Sequence, residues 1–311
     1  MIIITVRSRI EMAIFKGSGV ALCTPFTPDG AFNPQEYEKL IDFQVKEGTA
    51  AIVSCGTTGE ASTLTTQEHI EVVRTAVLAA KTAGEKYGRK VPVIAGAGGN
   101  NTAACVEMGK ALTQAGADML MYVTPYYNKT SQKGLIQHYG HIANSVDLPI
   151  MVYNVHVRTA LNMLPTTLAE LAKHPNITAV KEASGDISQM AEVLERCAGD
   201  LDFYVGNDDQ ILATLALGGM GVVSTTGNIA PRLVQSIVDD FFAGDLAKSR
   251  KTQLALLPLI RLIFADVNPM PVKAAVNILG YQAGGLRLPL IDIEPELKEK
   301  LKAEMGRQGL I

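Results

Sequence analysis

Residues 177–185 read I-T-A-V-K-E-A-S-G, an apolar run of strand length that ends at Lys181 and is followed by a small-residue turn. A segment of helical period comes next, so the stretch is typical of one strand-and-helix unit of a parallel sheet. In parallel α/β folds, ligands bind and chemistry occurs at the carboxyl ends of the strands. Lys181 is therefore a candidate catalytic residue, although lysines that end strands more often point into solvent.

The same strand-and-helix unit recurs along the chain. Eight apolar runs are candidate strands, at residues 19–24, 51–55, 91–95, 119–123, 150–153, 177–181, 203–205 and 221–224. Eight parallel strands joined by crossover helices can close on themselves, which predicts a (β/α)8 barrel. A doubly wound open sheet is the alternative, but the first turn, Pro25 to Pro28, lacks the glycine fingerprint typical of that fold.

Three further helical segments follow the last strand, near residues 246–264, 270–280 and 294–306. No strand separates them, so they predict a small helical carboxyl-terminal domain. Because Met12 begins the approach to the first strand, the residues before it read as an extension. We expect an amino-terminal extension over residues 1–13, a catalytic barrel over 14–244 and a helical domain over 245–311.

Composition narrows the functional classes. The 311 residues are 47% hydrophobic and 19% charged, with a net charge of -3 and no long run of either sign. This balance predicts a soluble, compact protein that binds a small molecule, and it argues against nucleic-acid or membrane partners. Four scattered cysteines form no zinc-binding pattern, and the amino-terminal apolar patch is too short for a signal segment. We therefore expect a cytoplasmic protein without a metal.

The loop after the second candidate strand is G-T-T-G-E at residues 56–60. Its small residues allow main-chain N–H groups to approach a ligand closely, and its hydroxyls add donors, which suits a carboxylate or phosphate. An ordinary glycine turn before a helix capped by Thr65 and Glu68 is an equally good interpretation of this loop alone.

Lys181 suggests a chemistry for such a site. Burial beside apolar strands destabilises an ammonium ion and lowers its pKa, which frees the amine to attack a carbonyl. The resulting iminium is an electron sink, so a bound α-keto acid can lose a proton and attack an aldehyde. Tyr153, at the end of the fifth candidate strand, is placed to shuttle protons, and the amides of residues 56–59 to hold the carboxylate.

Four motifs in order resemble the dihydrodipicolinate synthase and N-acetylneuraminate lyase family. They are G-T-T-G-E at 56–60, V-T-P-Y-Y-N at 123–128, Y-N-V-x-x-R-T at 153–159 and V-K-E-A-S-G at 180–185. The resemblance runs from Phe15 to the carboxyl terminus and includes G-V-V-S at 221–224 and N-P-x-P-V-K at 268–273.

The resemblance implies a role for each matching residue. Lys181 is then the Schiff-base lysine and Tyr153 the proton-transferring phenol, while Thr57 and Tyr127 complete a hydroxyl relay. In the family this second tyrosine reaches a neighbouring subunit's site, which implies a tight dimer and usually a tetramer. The resemblance further implies that pyruvate is bound by Thr58, Gly206 and Val223, and that no cofactor is needed.

Arg158 discriminates between branches of the family. Its synthases place an arginine here for the carboxylate of L-aspartate 4-semialdehyde, which they condense with pyruvate on the route to lysine and diaminopimelate. His156, Val157 and Ala160 depart from the Pro, Ser and Gly of many synthases. A related pyruvate-dependent aldolase or dehydratase acting on a sugar acid or hydroxy-keto acid therefore stays open, as does a non-catalytic barrel that senses a small acid.

The resemblance also bears on feedback by lysine. His69, Asn100 and Tyr126 match the family's inhibitor site, but Ala104 replaces a glutamate and Thr66 a histidine. An ammonium site that lacks its carboxylate binds weakly. We therefore expect little inhibition by lysine.

Overall fold

Eight parallel strands form a closed barrel in the computed structural model, which describes residues 13–197 and 199–311. Each strand pairs with the next along the chain, and the last pairs with the first. The predicted (β/α)8 barrel is confirmed. The strands are β1 Gly17–Ala21, β2 Ala51–Ser54, β3 Val93–Gly96, β4 Met119–Val123, β5 Ile150–Asn154, β6 Ile177–Glu182, β7 Asp202–Val205 and β8 Gly221–Ser224.

Helices surround the barrel and continue beyond it. They are α1 Pro34–Lys46, α2 Thr66–Tyr87, α3 Thr102–Gln114, α4 Gln132–Ala143, α5 His156–Thr159, α6 Pro165–Leu171, α7 Ile187–Cys197, α8 Ile211–Ala216, α9 Pro231–Phe242, α10 Leu246–Ile263, α11 Met270–Ile278 and α12 Pro295–Arg307. The last three pack against one another, which confirms the predicted carboxyl-terminal helices. The predicted extension over residues 1–13 lies almost wholly outside the described residues.

The first and third strands differ most from the sequence prediction, while the boundaries of the other strands agree to within one residue. The first strand begins at Gly17, where it meets Gly221 of β8, and it ends before Cys23, whose N–H turns to the side chain of Asn228 at 3.0 Å. The third strand begins at Val93 rather than Val91, because the intervening Pro92 has no N–H to give to a ladder. Hydrophobicity alone marks neither change.

The barrel interior is packed with side chains and is closed at its amino-terminal end. Phe15, just before β1, stacks on Tyr204 with ring centroids 4.1 Å apart, and the Tyr204 hydroxyl donates to the Phe15 carbonyl at 2.5 Å. Met119, Met151 and Val223 are buried in the same interior cluster. Ligand space is therefore left at the carboxyl ends of the strands, as barrel geometry favours.

Side-chain caps fix the helices beside these ends. Thr65 and Glu68 form the complete capping box expected at the start of α2. At the start of α1 such a box is only half formed: the Asn33 side chain accepts from the N–H of Glu36, but the Glu36 carboxylate accepts from Lys39 and from the Gln282 N–H instead. Among the helices of the described residues, none has the length and apolarity to cross a bilayer.

Candidate active site

Lys181 and Tyr153 are neighbours across the β5–β6 ladder. They are register partners in the parallel sheet, and both are 6% exposed. The Lys181 Nζ lies 4.2 Å from the centroid of the Tyr153 ring. The amine is therefore shielded from bulk water and held against a phenol, as the proposed chemistry requires.

Gly206, directly after β7, makes room for the lysine stem. A Cβ at this position would lie 3.0 Å from the Lys181 Cε and 2.7 Å from the Ala183 Cβ. The Gly206 N–H also donates to the Glu182 carbonyl at 2.7 Å, which ties the ends of β6 and β7 together. Glycine is needed here for close approach rather than for an unusual backbone angle.

A cavity of about 590 Å³ opens at this end of the barrel. Its lining includes three residues of the predicted site, Thr57, Tyr153 and Arg158, together with Tyr126. Thr57 and Tyr126 follow β2 and β4, whereas Tyr153 lies in β5 and Arg158 in the turn after it, so the fold has brought together residues about a hundred positions apart. The volume is ordinary for a small-molecule site.

The loop at residues 56–60 is held from two sides. The Thr24 hydroxyl donates to the Gly59 carbonyl at 2.7 Å. Glu60 has a left-handed backbone, with φ of 54°, and its carboxylate accepts from Lys273 Nζ at 2.6 Å and from the Arg287 N–H at 3.1 Å. A non-glycine residue keeps such a backbone only where its surroundings over-determine it, and here a buried ion pair does so.

Arg158 reaches the same cavity from α5, a single helical turn without a side-chain N-cap. Its Nη2 donates to the carbonyl of Asn268 at 3.3 Å, and the Asn268 side-chain amide donates to Thr58 Oγ1 at 3.0 Å. Ala160, which ends the turn, has φ of 53°. The predicted departure from glycine at this position therefore falls on a left-handed backbone, where glycine is favoured.

Comparison with known proteins is decisive for the family. The sequence pattern described as "Dihydrodipicolinate synthetase family" matches residues 14–308. The chain belongs to this family. A 4-hydroxy-tetrahydrodipicolinate synthase from Thermoanaerobacter sp. (strain X514) is 48% identical over 301 residues, which covers 96% of this chain and 99% of that relative.

Solved structures of the dihydrodipicolinate synthetase family agree. A dihydrodipicolinate synthase from Cyanidioschyzon merolae with lysine bound is similar at a TM-score of 0.91 and 37% identity, covering 96% of this chain and 99% of that one. The chloride-inhibited enzyme from Acinetobacter baumannii, complexed with pyruvate, matches at a TM-score of 0.91 and 36% identity, covering 95% and 99%.

Five residues to which the family resemblance assigns a role are absent from the lining of this cavity, namely Lys181, Gly206, Val223, Thr58 and Tyr127. Lys181 lies against Tyr153, which does line the cavity, and Gly206 lies beside the Lys181 stem. Val223 is fully buried in the barrel interior, and Thr58 is 1% exposed within the 56–60 loop, where it meets Asn268. Tyr127 is 93% exposed and has φ of 64°. The described residues of one chain therefore bring together Lys181, Tyr153, Thr57, Arg158 and Gly206 but not Tyr127.

The cavity lining also includes the positions that the resemblance matched to the family's inhibitor site, namely Thr66, His69, Asn100, Ala104 and Tyr126. His69 Nε2 lies 2.7 Å from the Gly96 carbonyl, and burial lowers the pKa of its imidazole. The Asn100 side chain donates to the Tyr126 carbonyl at 3.3 Å. At position 104 the chain offers only a methyl group.

Sequence reasoning assigned no role to Asn268, Lys273 or Glu60, which hold the candidate site together. Lys273 also lies over the Phe26 ring, 4.0 Å from its centroid, and burial lowers its pKa. For Asn268 and Lys273, the sequence signal was their position in the motif N-P-x-P-V-K, where they are the polar residues of an otherwise apolar stretch. Elsewhere in the described ranges, no group of three or more His, Cys, Asp or Glu side chains is placed to hold a metal ion.

Proposed function

We propose that this chain is a 4-hydroxy-tetrahydrodipicolinate synthase, a lyase that condenses pyruvate with L-aspartate 4-semialdehyde through a Schiff base on Lys181. The observation that carries this proposal is the buried Lys181 Nζ, 4.2 Å from the Tyr153 ring at the carboxyl end of the barrel. The relative at 48% identity, which shares that activity by name, supports it.

The chemistry begins with attack of the neutral Lys181 amine on the keto carbon of pyruvate. A carbinolamine forms and loses water, leaving an iminium between the lysine nitrogen and the keto carbon. Loss of a proton from the pyruvate methyl group then gives an enamine, because the iminium accepts the electron pair. No other electron sink is required, so the proposal includes no cofactor.

We assign the proton transfers in these steps to Tyr153. Its ring lies against the Lys181 amine and its side chain lines the cavity, which supports this role for its hydroxyl. Thr57 lines the same cavity and continues the proposed hydroxyl relay. Main-chain N–H groups of Thr57 and Thr58, with the small residues around them, hold the pyruvate carboxylate, and Gly206 and Val223 shape the base of the site.

Arg158 is the proposed binding group for the second substrate. Only its Nη2 is engaged within the part of the chain that the structure describes, by the Asn268 carbonyl. That bond uses one of the two Nη2 protons. The second Nη2 proton, paired with the neighbouring proton of Nη1 or Nε, is left for a carboxylate, which a guanidinium binds with two parallel hydrogen bonds. Attack of the enamine on the aldehyde carbon of aspartate semialdehyde forms the new C–C bond, and hydrolysis or internal attack by the substrate amine releases the lysine.

Tyr127 completes the site of a neighbouring subunit in this proposal. A tyrosine that is 93% exposed in a single chain, on a left-handed backbone, is an unusual surface residue. Contact with a second copy of the chain accounts for it, so we propose a tight dimer and the pairing of dimers into a tetramer.

Trapping tests the Schiff base directly. Incubation with pyruvate and borohydride is expected to leave a reduced adduct on the peptide that contains Lys181, detected by mass spectrometry. Lys181→Met is the matched control and is expected to give no adduct. Absence of the wild-type adduct contradicts the aldolase chemistry and favours a barrel that only binds a small acid.

The identity of the second substrate is tested separately, because the segment that carries Arg158 departs from the family pattern. Val157, next to Arg158 in this segment, is 75% exposed. Turnover is measured with aspartate semialdehyde and with a panel of sugar-derived and hydroxy aldehydes. We expect aspartate semialdehyde to have the highest kcat/KM. A higher value for a sugar aldehyde favours the related aldolase or dehydratase instead.

A further inference from the structure

Asn268 lies between the two segments that bind the two substrates in the proposed function. Its side-chain amide donates to Thr58 Oγ1 at 3.0 Å, and its main-chain carbonyl accepts from Arg158 Nη2 at 3.3 Å. The residue is 7% exposed and lines the cavity. Asn268 thus contacts both the loop that is proposed to bind the keto-acid carboxylate and the arginine that is proposed to bind the carboxylate of the aldehyde.

The position of Asn268 is fixed by its own neighbours. The Met270 N–H donates to the Val267 carbonyl at 2.8 Å, and the Lys273 N–H donates to the Pro269 carbonyl at 2.9 Å, which starts α11. Lys273 then pairs with Glu60 at 2.6 Å. The segment before α11 therefore meets the 56–60 loop at two points, Asn268 with Thr58 and Lys273 with Glu60, and cannot shift without moving that loop.

Arg158 has little else to fix its direction. The α5 turn spans only His156–Thr159 and has no side-chain N-cap. Within the described ranges, the Asn268 carbonyl is the single hydrogen-bond acceptor for the guanidinium. The orientation of Arg158 in the cavity therefore depends on where Asn268 holds that carbonyl.

The direction of the hydrogen bond to Thr58 also matters. Thr58 Oγ1 accepts from the Asn268 amide, so its own hydroxyl proton stays available for donation. A donor beside the 56–60 loop suits the carboxylate of a bound keto acid. Donation from Asn268 strengthens the Thr58 hydroxyl as a donor, because hydrogen bonds in a chain polarise one another.

We propose that Asn268 is a positioning residue that couples the two substrate sites, orienting the Thr58 hydroxyl with its side chain and Arg158 with its carbonyl. The inference rests on the proposed function and deepens it. It identifies Asn268, which lies outside the barrel strands, as the residue that orients the specificity-determining Arg158. Loosening Asn268 then weakens the binding of both substrates, whereas loss of the Arg158 guanidinium weakens mainly the binding of the aldehyde.

Asn268→Ala tests the coupling through steady-state kinetics with both substrates varied. We expect KM to rise about fivefold or more for pyruvate, because the hydrogen bond to Thr58 is lost. The KM for aspartate semialdehyde should rise as well, because the Asn268 carbonyl that orients Arg158 is then less firmly held. Thr58→Val removes the same hydrogen bond and is also expected to raise both KM values, whereas Arg158→Ala should raise mainly the KM for the aldehyde. In the Thr58→Val background, Asn268→Ala should add little to the pyruvate KM.

Asn268→Asp sharpens the test because it keeps the shape and changes the chemistry. A carboxylate can only accept hydrogen bonds, so it accepts one from the Thr58 hydroxyl, which is then no longer free to donate to pyruvate. It also places a negative charge near the substrate carboxylate. The KM for pyruvate is expected to rise further than in Asn268→Ala. Asn176→Ala is the control: its amide donates to the carbonyls of Ala143 and Val146 just before β6, at the opposite end of the barrel. It should lower thermal stability and leave both KM values unchanged.

The outcomes separate this inference from the proposed function. If the wild-type protein forms no pyruvate adduct and does not turn over aspartate semialdehyde, the proposed function is wrong, and the coupling is wrong with it. An active wild type in which Asn268→Ala raises only the pyruvate KM overturns the coupling to Arg158. A variant that loses stability with both KM values unchanged shows that Asn268 is merely structural.

Discussion

Lys273 and Glu60 form an ion pair across 213 residues of sequence, with Nζ 2.6 Å from Oε1 and side chains that are 1% and 0% exposed. The pair joins α11, beyond the barrel, to the loop that carries Thr57 and Thr58. Glu60 accepts a second hydrogen bond from the Arg287 N–H. The carboxyl-terminal helices are therefore part of the support of the active site rather than an appendage.

Removal of one partner of this pair is expected to be costly. Lys273→Met leaves the Glu60 carboxylate buried without its cation, which should lower the free energy of unfolding by about 3–5 kcal/mol. The double variant Glu60→Gln, Lys273→Met removes both charges and should be less destabilised than the single variant. Chemical denaturation measures both, and Lys300→Met, which breaks an exposed pair with Glu296, serves as the control without a measurable change.

The acid sensitivity of the fold should depend on Glu68. The Arg287 guanidinium, 2.5 Å away, is the main reason that the pKa of this carboxyl falls from 4.5 to about 2. Because the folded-state pKa lies below the unfolded value, the stabilisation is complete above pH 4.5 and is lost as the pH falls towards 2.

Glu68→Gln is therefore expected to cost about 1–2 kcal/mol at pH 7, less than the full shift because the carboxylate is partly exposed. Its stability should then vary less than that of the wild type between pH 4.5 and 2. Denaturant midpoints at several pH values measure the difference. If the denaturant midpoints of the two proteins fall equally as the pH is lowered, this ion pair does not determine how stability depends on acid pH.

Gly206→Ala tests whether the lysine stem needs the space that glycine leaves. The new Cβ would stand 3.0 Å from the Lys181 Cε, so the amine must move. A displacement of a reacting group by a fraction of an ångström should slow formation of the borohydride-trapped pyruvate adduct between about tenfold and a hundredfold.

Gly140→Ala is the matched control for this change. It lies in α4, and a Cβ there meets no atom within 4 Å. It should stabilise the helix by up to about 1 kcal/mol and leave adduct formation unchanged. Equal rates in wild type and Gly206→Ala would mean that the Lys181 stem has room elsewhere.

The barrel could be predicted from sequence because each apolar run from residue 51 onward has strand length and precedes a helical pattern. Lys181 and Tyr153 could be predicted as neighbours because both end strands that are adjacent in chain order. Asn268, Lys273 and Glu60 could not, because their meeting depends on how the helices beyond the barrel fold back over its carboxyl end. Periodicity within α11 shows which face is buried, but not that a buried lysine there reaches a carboxylate 213 residues away.

Tyr127 is expected to act in the site of a second subunit, which a mixing experiment can detect. Lys181→Met and Tyr127→Phe homodimers should each be nearly inactive. In a mixed dimer, one site has both defects and the other has neither. Random exchange of subunits should therefore restore about a quarter of the wild-type activity.

If the activity of the mixture equals the sum of the activities of the two variants, Tyr127 does not act in the site of a neighbouring subunit. Sedimentation of each variant confirms that the subunits still associate. Lys181→Met mixed with wild type is the control, and mixing should leave the total activity unchanged. Each wild-type subunit keeps its own lysine and receives an intact Tyr127 from either kind of partner, while each variant subunit stays inactive.

Lysine should inhibit this protein weakly, because position 104 offers a methyl group where the family resemblance implies a glutamate. Ala104 is exposed on α3 and lines the same cavity as His69 and Asn100. Ala104→Glu places a carboxylate among these polar groups, and a charge-assisted bond to the lysine ammonium adds about 1.5–3 kcal/mol. The concentration of lysine that halves the rate should therefore fall about tenfold or more in the variant.

Ala103→Glu is the matched control for this gain of sensitivity. It adds the same charge to the same turn of α3, at an exposed position that does not line the cavity. Its response to lysine should equal that of the wild type. Potent inhibition of the wild type contradicts the prediction, because the existing groups then bind the ammonium without a carboxylate at 104. An equal gain in both variants would point to the net charge of the surface, since only one of the two glutamates can reach a ligand in the cavity.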